Sequence, residues 1–295
     1  MKTSKVSNLS IIPPSKESGL YETETYMPKM HQVCVAVGKR ASGKSTAIIN
    51  LIERMKFDYT IAISPTMNSN KELMERLNIE HVFEEIDDTS VIDQIKDIVK
   101  AEAEDLERYQ DEVKRYNKLM KDLKDGKYLD DDLLLQFFND QNYFEKPTHR
   151  WNGKKPRIAV LFDDMLGSGI YSKPRKLNGL STYSRHVGQL KAGGSIGVSL
   201  FFMLQSYKAQ AGGLSRVIRN QCTSLIIFKT KDKKELEDIA DSCCGEIDSE
   251  TFYKVYDTAI KEPYDFLFID FHKKKEHPSS FRKQLDLFII PENLK

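Results

Sequence analysis

Gly38-Lys39-Arg40-Ala41-Ser42-Gly43-Lys44-Ser45 is the stretch that decides the fold. Its form is glycine, four residues, glycine, lysine and serine, which is typical of a phosphate-binding loop. The glycines let backbone amides curl around an anion, and Lys44 supplies a charge for the β- and γ-phosphates. The Ser45 hydroxyl is placed to ligate Mg²⁺. We expect a nucleotide to be bound by Gly38, Lys39, Arg40, Ala41, Ser42, Gly43, Lys44, Ser45 and Thr46.

The segments on either side of this loop support the motif. Residues 32–37 form a short apolar, β-branched run, which predicts a buried strand. Residues 45–55 carry apolar side chains at helical spacing, namely Ile48, Leu51, Ile52 and Met55. Strand, loop and helix in this order point a helix N-terminus at the phosphates. A surface loop rich in Gly, Ser and Lys is the alternative, and the flanking order disfavours it.

Size and composition limit the class of protein. A chain of 295 residues can bury one large α/β core or two smaller ones. The formal charge of +1 means that any nucleic-acid surface must arise from local clustering. The four cysteines show no metal-ligand spacing, which indicates a reducing compartment. No run approaches the roughly 18 apolar residues of a membrane span, so we expect a soluble intracellular protein.

The chain divides into an arm and one domain. Residues 1–28 are polar and interrupted by prolines, which predicts an N-terminal arm before a P-loop domain at 29–295. A helical insertion is expected at about 90–150. Its long helix carries a heptad seam broken only by Glu102: Ile92, Ile95, Val99, Leu106, Tyr109, Val113, Tyr116, Met120 and Leu123. A helix lying on the core is favoured over a coiled coil that binds a partner.

Further strands are predicted by apolar runs. One follows the first helix at 59–64, and three more core runs lie at 157–164, 197–205 and 223–228. Continuous apolar strands separated by helical segments indicate a mostly parallel sheet covered by helices on both faces. Two more strands, at 264–271 and 284–290, are expected to lie antiparallel at the sheet edge.

Polar residues at the ends of two of these runs are the candidate catalytic groups. Asp163 ends a core strand, where it can hold Mg²⁺ through water, and Asp164 is placed to orient or deprotonate an attacking water. Hydrolysing ATPases more often have Glu at the second position. Gln205 closes the next strand, where it can sense the γ-phosphate or simply cap the strand.

Three arginines are candidates for a finger that reaches a neighbouring subunit's ATP. Arg216 and Arg219 are three residues apart on one face of a short helix, and surface or nucleic-acid contacts are the alternative. Arg185, beside His186, can approach either the nucleotide or a subunit boundary. The basic segments 167–176 and 273–275 are weaker candidates for phosphate-backbone contact.

The order of these segments resembles a known family. The phosphate loop, Asp163-Asp164, Arg185-His186, Gln205 and the segment 216–228 follow one another as in genome-packaging ATPases. These are the poxvirus-type enzymes of nucleocytoplasmic large DNA viruses and virophages, in the FtsK/HerA superfamily. The resemblance implies an α/β, RecA-like (ASCE) P-loop fold. Cellular relatives often carry the finger in Asn-x-Pro-Thr-Arg, whereas residues 220–224 read NQCTS and contain no arginine.

The resemblance also implies a function. We expect ATP and Mg²⁺ to be bound between subunits of a homo-oligomeric ring, hexameric or pentameric, with hydrolysis driving double-stranded DNA into a preformed capsid without reading its sequence. Capsid proteins are then expected partners, and the host-cell cytoplasm at the viral assembly site, or the virion, is the expected location. The alternatives are another FtsK/HerA-type DNA-transfer ATPase, cellular or plasmid-borne, a P-loop kinase, and an assembly module that binds ATP without hydrolysing it.

Overall fold

The computed structural model describes residues 23–67, 71–127, 137–138, 144–209, 213–243 and 247–292. Most of the predicted arm and the middle of the predicted insertion lie outside these ranges, so the expected domain division stays a prediction. The strands are β1 Val33–Val37, β2 Tyr59–Ile63, β3 Ile79–Phe83, β4 Ile158–Phe162, β5 Ser199–Leu204, β6 Ser224–Phe228, β7 Phe266–Asp270, β8 Phe281–Lys283 and β9 Leu287–Ile289.

These strands form one sheet in the order β3-β2-β4-β5-β1-β6-β7-β8-β9. The six strands from β3 to β6 pair in parallel, and the last three add antiparallel pairings at one side. Strands β1, β2, β4, β5 and β6 are buried along their whole length, as their continuous apolar sequences predict. The predicted α/β architecture with a mostly parallel sheet is confirmed.

Helices cover both faces of the sheet. They are α1 Lys44–Met55, α2 Lys71–Arg76, α3 Val91–Lys124, α4 Gly169–Ser172, α5 Arg175–Tyr183, α6 Arg216–Asn220, α7 Lys233–Cys243 and α8 Ser249–Ala259, with a 3-10 turn at Ser184–His186. Side chains of β1 alternate between the two faces: Cys34 and Ala36 pack toward α1, and Val33, Val35 and Val37 toward the opposite core that α3 and α8 join. Each face therefore has its own apolar core.

The long helix α3 packs on the core with its first half. Ile92, Ile95, Val99 and Leu106 of the predicted seam are buried, whereas Leu123 near the end is exposed. The break in the seam has a local cause, because Glu102 accepts a hydrogen bond of 2.7 Å from the indole Nε1 of Trp151. The favoured interpretation, a helix lying on the core, describes this first half.

The local predictions had mixed outcomes. The strands expected at 264–271 and 284–290 are present as β7 and β9 and pair antiparallel at one side of the sheet. The sequence analysis missed β8, which forms a hairpin with β9 around Gln284, a residue with φ 53°. The sequence analysis missed β3, a half-buried edge strand. The segment 167–176 contains α4, and its one aromatic residue, Tyr171, is 3% exposed and belongs to the core. That ring is not available to a nucleic acid.

Two other features bear on the predicted class. Cys34 is buried and Cys222 is half-buried; the side chains of Cys243 and Cys244 lie outside the description. Among the described residues, no helix is both long and apolar enough to cross a membrane.

Candidate active site

The phosphate loop connects β1 to α1 at the carboxyl edge of the sheet. The amide of Gly38 donates to the carbonyl of Leu204, 3.1 Å away, which ties the start of the loop to the end of β5. The Nζ atom of Lys44 donates to the carbonyls of Gly38 at 2.7 Å and Lys39 at 2.9 Å. The lysine is thereby held across the loop. The first turn of α1 adds backbone N–H groups that have no acceptor within the helix, which suits this end for an anion.

Two glycines make this loop possible. A Cβ atom on Gly38 would lie 2.6 Å from the Oγ atom of Ser42 and 2.8 Å from the Cβ atom of Phe228. Gly43 has φ 101°, a left-handed conformation that side chains disfavour. The first glycine of the motif is therefore required because neighbouring side chains lie too close for a Cβ atom, and the second because its backbone is left-handed.

The acidic pair follows β4, two strands away from the loop. The amide of Asp163 donates to the carbonyl of Ile63 at 3.0 Å, which fixes the residue at the strand end. Burial, and to a lesser extent Asp164, raise the pKa of the Asp163 carboxyl, whereas Lys44 lowers it. Burial lowers the pKa of Lys44, and both carboxylates oppose this effect. The three groups thus share one electrostatic environment.

Asp164 differs from Asp163 in both exposure and backbone. Its side chain is exposed, and its φ of 52° is left-handed. Such a backbone is uncommon for a residue other than glycine, although aspartate tolerates it better than most. The turn directs the chain away from the strand immediately after Asp163, so the two adjacent carboxylates occupy different surroundings.

Gln205 follows β5, which lies between the strand of the phosphate loop and the strand of the acidic pair. Val37 of β1 is in register with Leu204, and Phe162 of β4 with Phe202. Gln205 is therefore the next residue beyond the loop-bound carbonyl of Leu204, and it is exposed. The fold brings the loop, the acidic pair and this amide to one edge of the sheet.

The residues at this edge fit a Mg²⁺ ion that is shared with phosphate. The hydroxyl of Ser45 is exposed at the first turn of α1, and Asp163 offers a desolvated carboxylate whose raised pKa a cation would reverse. Within the part of the chain that the structure describes, no cluster of three or more His, Cys, Asp or Glu side chains is arranged for a metal. The two protein ligands fit a cation that takes its remaining ligands from phosphate and water.

The three candidate finger arginines lie in different settings. Arg219 is half-buried and donates to the carbonyls of Tyr207 at 3.2 Å and Leu214 at 2.8 Å, so it stabilises the fold of its own chain. Arg216 is exposed at the start of α6. Arg185 is exposed in the 3-10 turn, and its charge acts on His31, which precedes β1. Arg185 therefore lies at the sheet edge opposite the phosphate loop of its own chain.

Some residues beside the loop were missed by the sequence analysis. A cavity of about 1370 Å³ opens from the loop along α1 and is lined on its other sides by Tyr26, Tyr264 and Phe288, among others. These rings come from the two ends of the described chain, and no local motif marks them. The basic segment 273–275 also has another use, since Lys274 donates to the carbonyls of Thr23 and Glu24.

The class that fold and site define is an α/β, RecA-like P-loop domain. The phosphate loop follows a central parallel strand, and the acidic pair follows a strand separated from it by β5.

Comparisons with known proteins add solved structures of similar fold. No protein-family model matches the chain, and no curated protein matches it. The genome packaging NTPase B204 of Sulfolobus turreted icosahedral virus 2, solved with ATP-gammaS, is 15% identical, with 86% of this chain and 97% of that one covered at a TM-score of 0.46.

Two further structures are similar. The DNA-packaging ATPase B204 of Sulfolobus Turreted Icosahedral Virus is 15% identical over 86% of this chain and 98% of that chain, with a TM-score of 0.47. The pCW3 conjugation coupling protein TcpA is 14% identical over 87% and 61%, with a TM-score of 0.43. At these scores the similarities leave the family of the chain undefined.

Proposed function

We propose that the protein is an ATPase. The observation that carries this proposal is the convergence of Lys44, Asp163 and Gln205 at one edge of the sheet, next to a helix N-terminus. In this assignment the residues from Gly38 to Thr46 hold the phosphates, and Ser45 and Asp163 hold Mg²⁺. When bound, the ion neutralises charge on the β- and γ-phosphates.

The chain's own groups supply the remaining steps. Asp164, which is exposed and adjacent to the metal ligand, accepts the proton of a water that attacks the γ-phosphorus, and the bond to the β-phosphate oxygen breaks to release ADP. Gln205 hydrogen-bonds the attacking water or a γ-phosphate oxygen. Among the described residues, Arg216 and Arg185 make none of the side-chain contacts to backbone carbonyls that hold Arg219. We assign the finger that completes a neighbouring site to one of these two.

The finer proposal is that ATP hydrolysis moves double-stranded DNA, in a ring of subunits that packages a viral genome into a preformed capsid. Its support is the order of motifs from the phosphate loop to residues 216–228. Because the formal net charge is only +1, any contact with DNA would be made by local clusters of Lys and Arg. Capsid proteins are then partners, and the viral assembly site in the host cytoplasm is the location. Another DNA-transfer ATPase of the FtsK/HerA type would use the same site.

The ATPase activity and its coupling to DNA are tested by separate experiments. The Asp164→Asn variant should bind Mg·ATP normally and hydrolyse it at least about 100-fold more slowly, because a general base is lost. Asp241→Asn, an exposed change on α7, is the matched control and should leave the rate unchanged. A hydrolysis rate that Asp164→Asn does not alter would exclude this residue as the base.

The DNA step has its own readout. Double-stranded DNA of any sequence should raise the ATP turnover of the assembled oligomer, and electron microscopy with ATP analogue and DNA should show a ring. ATP turnover that is indifferent to DNA would contradict the motor while leaving the ATPase intact. Phosphate transfer to a second small substrate would indicate a kinase instead.

A further inference from the structure

The cavity beside the phosphate loop is large enough for more than phosphates. It has a volume of about 1370 Å³ and follows α1 from Lys44 to Arg54, a distance of about 15 Å at the rise of an α-helix. The loop forms one end of the cavity, so a molecule whose phosphates lie on the loop extends its remaining atoms into this space.

One wall of the cavity is the exposed ring of Tyr264. This side chain is 71% exposed, and its Cδ1 atom lies 3.5 Å from where a Cβ atom on Gly43 would stand. The ring is therefore next to the second glycine of the phosphate loop. An exposed aromatic face beside bound phosphates is a suitable surface for stacking a planar base.

The backbone presents Tyr264 at the corner of a tight turn. The amide of Asp265 donates to the carbonyl of Glu262 at 3.2 Å, and the Oδ2 atom of Asp265 accepts from the amide of Glu262 at 2.8 Å. Tyr264 follows Pro263 and has φ 66°, a position at which such turns favour glycine or asparagine. A tyrosine is strained at this position, and its ring lies next to Gly43 of the loop.

A second aromatic part of the cavity lining consists of Tyr26 and Phe288. Tyr26 is 61% exposed, and the two rings meet edge to face with centroids 6.4 Å apart. The backbone of this wall is held from behind: Arg282 donates to the carbonyl of Tyr26 at 2.6 Å, and His277 donates from Nε2 to the carbonyl of Thr25 at 2.7 Å. The second aromatic surface is thus fixed in place before any ligand binds.

We propose that this cavity is the nucleobase and ribose subsite, in which the base of the bound nucleoside triphosphate stacks on Tyr264 and is enclosed by Tyr26 and Phe288. The inference rests on the proposed function, because it needs phosphates on the loop. It adds a specific ligand class, a planar base attached to the phosphates, and a residue that recognises it.

Calorimetric titration of the full chain with Mg·ADP and with Mg·pyrophosphate separates the two parts of the ligand. Tyr264→Ala should weaken ADP binding by about 5- to 150-fold, as expected for one lost aromatic stack, and leave pyrophosphate binding unchanged. Tyr264→Phe keeps the ring and should bind ADP like the unmodified protein. Tyr183→Ala removes a similarly exposed tyrosine from α5, outside the cavity, and is the matched control.

A folding effect is excluded by a third variant. Tyr264→Gly relieves the left-handed backbone, so its melting temperature should equal or exceed that of the unmodified protein while its ADP affinity falls. ADP affinity within twofold of the unmodified value in Tyr264→Ala would overturn the subsite and leave the ATPase proposal intact. If the unmodified protein binds neither ADP nor pyrophosphate, the ATPase proposal itself fails.

Discussion

Replacing Arg282 by methionine should substantially lower the free energy of unfolding. The guanidinium lies on β8, is 1% exposed, and donates to the carbonyls of Tyr26 at 2.6 Å and Leu285 at 3.2 Å. It also donates to Nδ1 of His277 at 3.1 Å. Burial raises the pKa of the nearby Asp270, which is 2% exposed, and the charge of Arg282 lowers it.

The expected loss of stability can be worked from these contacts. Methionine fills much of the volume but leaves two part-buried carbonyls without this donor and removes a positive charge near the buried Asp270 carboxylate. An unsatisfied buried polar group costs about 1–3 kcal/mol, with part-buried carbonyls toward the lower end, and a buried carboxylate that loses a nearby cation adds a cost of several kcal/mol at most. Because these terms overlap, we expect about 4 kcal/mol in the free energy of unfolding, equivalent to roughly 6 °C in melting temperature for a chain of this length.

The loss should depend on pH with a definite sign. The folded-state pKa of Asp270 lies above its unfolded value, so the burial penalty of the carboxylate is present at neutral pH and fades as the pH falls through the folded pKa. In Arg282→Met this pKa rises further. His277, whose pKa is lowered by burial and then by Arg282, also becomes easier to protonate. Both changes make the destabilisation smaller at pH 5.5 than at pH 7.5.

Urea unfolding monitored by circular dichroism at these two pH values measures the effect. Lys275→Met, an exposed change of similar chemistry, should shift the free energy of unfolding by less than about 0.5 kcal/mol. Adding Asp270→Asn to Arg282→Met should restore part of the loss. A loss below about 1 kcal/mol, or an equal loss at both pH values with no rescue, would refute the reasoning.

Two further predictions concern the loop and the opposite sheet edge. Gly38→Ala should weaken Mg·ADP binding at least about tenfold in calorimetry, because its Cβ atom would lie 2.6 Å from the Oγ atom of Ser42. Gly179→Ala, which has open space around it, is the control and should bind Mg·ADP normally; equal Mg·ADP affinities of the two variants would contradict the steric argument. Burial, and then Arg185, lower the pKa of His31 to about 4, so stability should fall by up to about 3 kcal/mol as the pH drops from 6.5 to 4. His31→Asn, which tolerates the φ of 58°, should flatten that urea-unfolding profile, and a profile parallel to the unmodified one would be evidence against it.

The parts of the fold that were predictable are those encoded locally. The phosphate loop is one continuous segment, and the strands at 59–63 and 224–228 are buried on both faces, so their sequences are mostly apolar. Strand β3 was missed because it lies at the sheet edge and mixes Glu80 and His81 with apolar residues. Strand β8 was missed because it has only three residues.

Part of the candidate site could also be predicted from the sequence. The position of Asp163, Asp164 and Gln205 at the ends of neighbouring strands was predictable, because parallel strands place their carboxyl ends at one edge of the sheet. The roles given to these residues remain predictions. The aromatic lining of the cavity could not be predicted, because Tyr26 and Tyr264 are far apart in the sequence and reach the same cavity only through the tertiary fold. Basic composition also misled at Lys274, whose amine serves backbone carbonyls of the same chain.

The contact between Arg282 and the carbonyl of Tyr26 joins residues 256 positions apart. During synthesis a chain folds progressively from its N-terminus, and the phosphate loop emerges early. The wall formed by Tyr26 and Phe288 can close only after β8 and β9 have left the ribosome. A nascent chain therefore exposes its phosphate loop before the contact between Tyr26 and Phe288 can form, so the order of translation sets the order in which these two parts of the molecule fold.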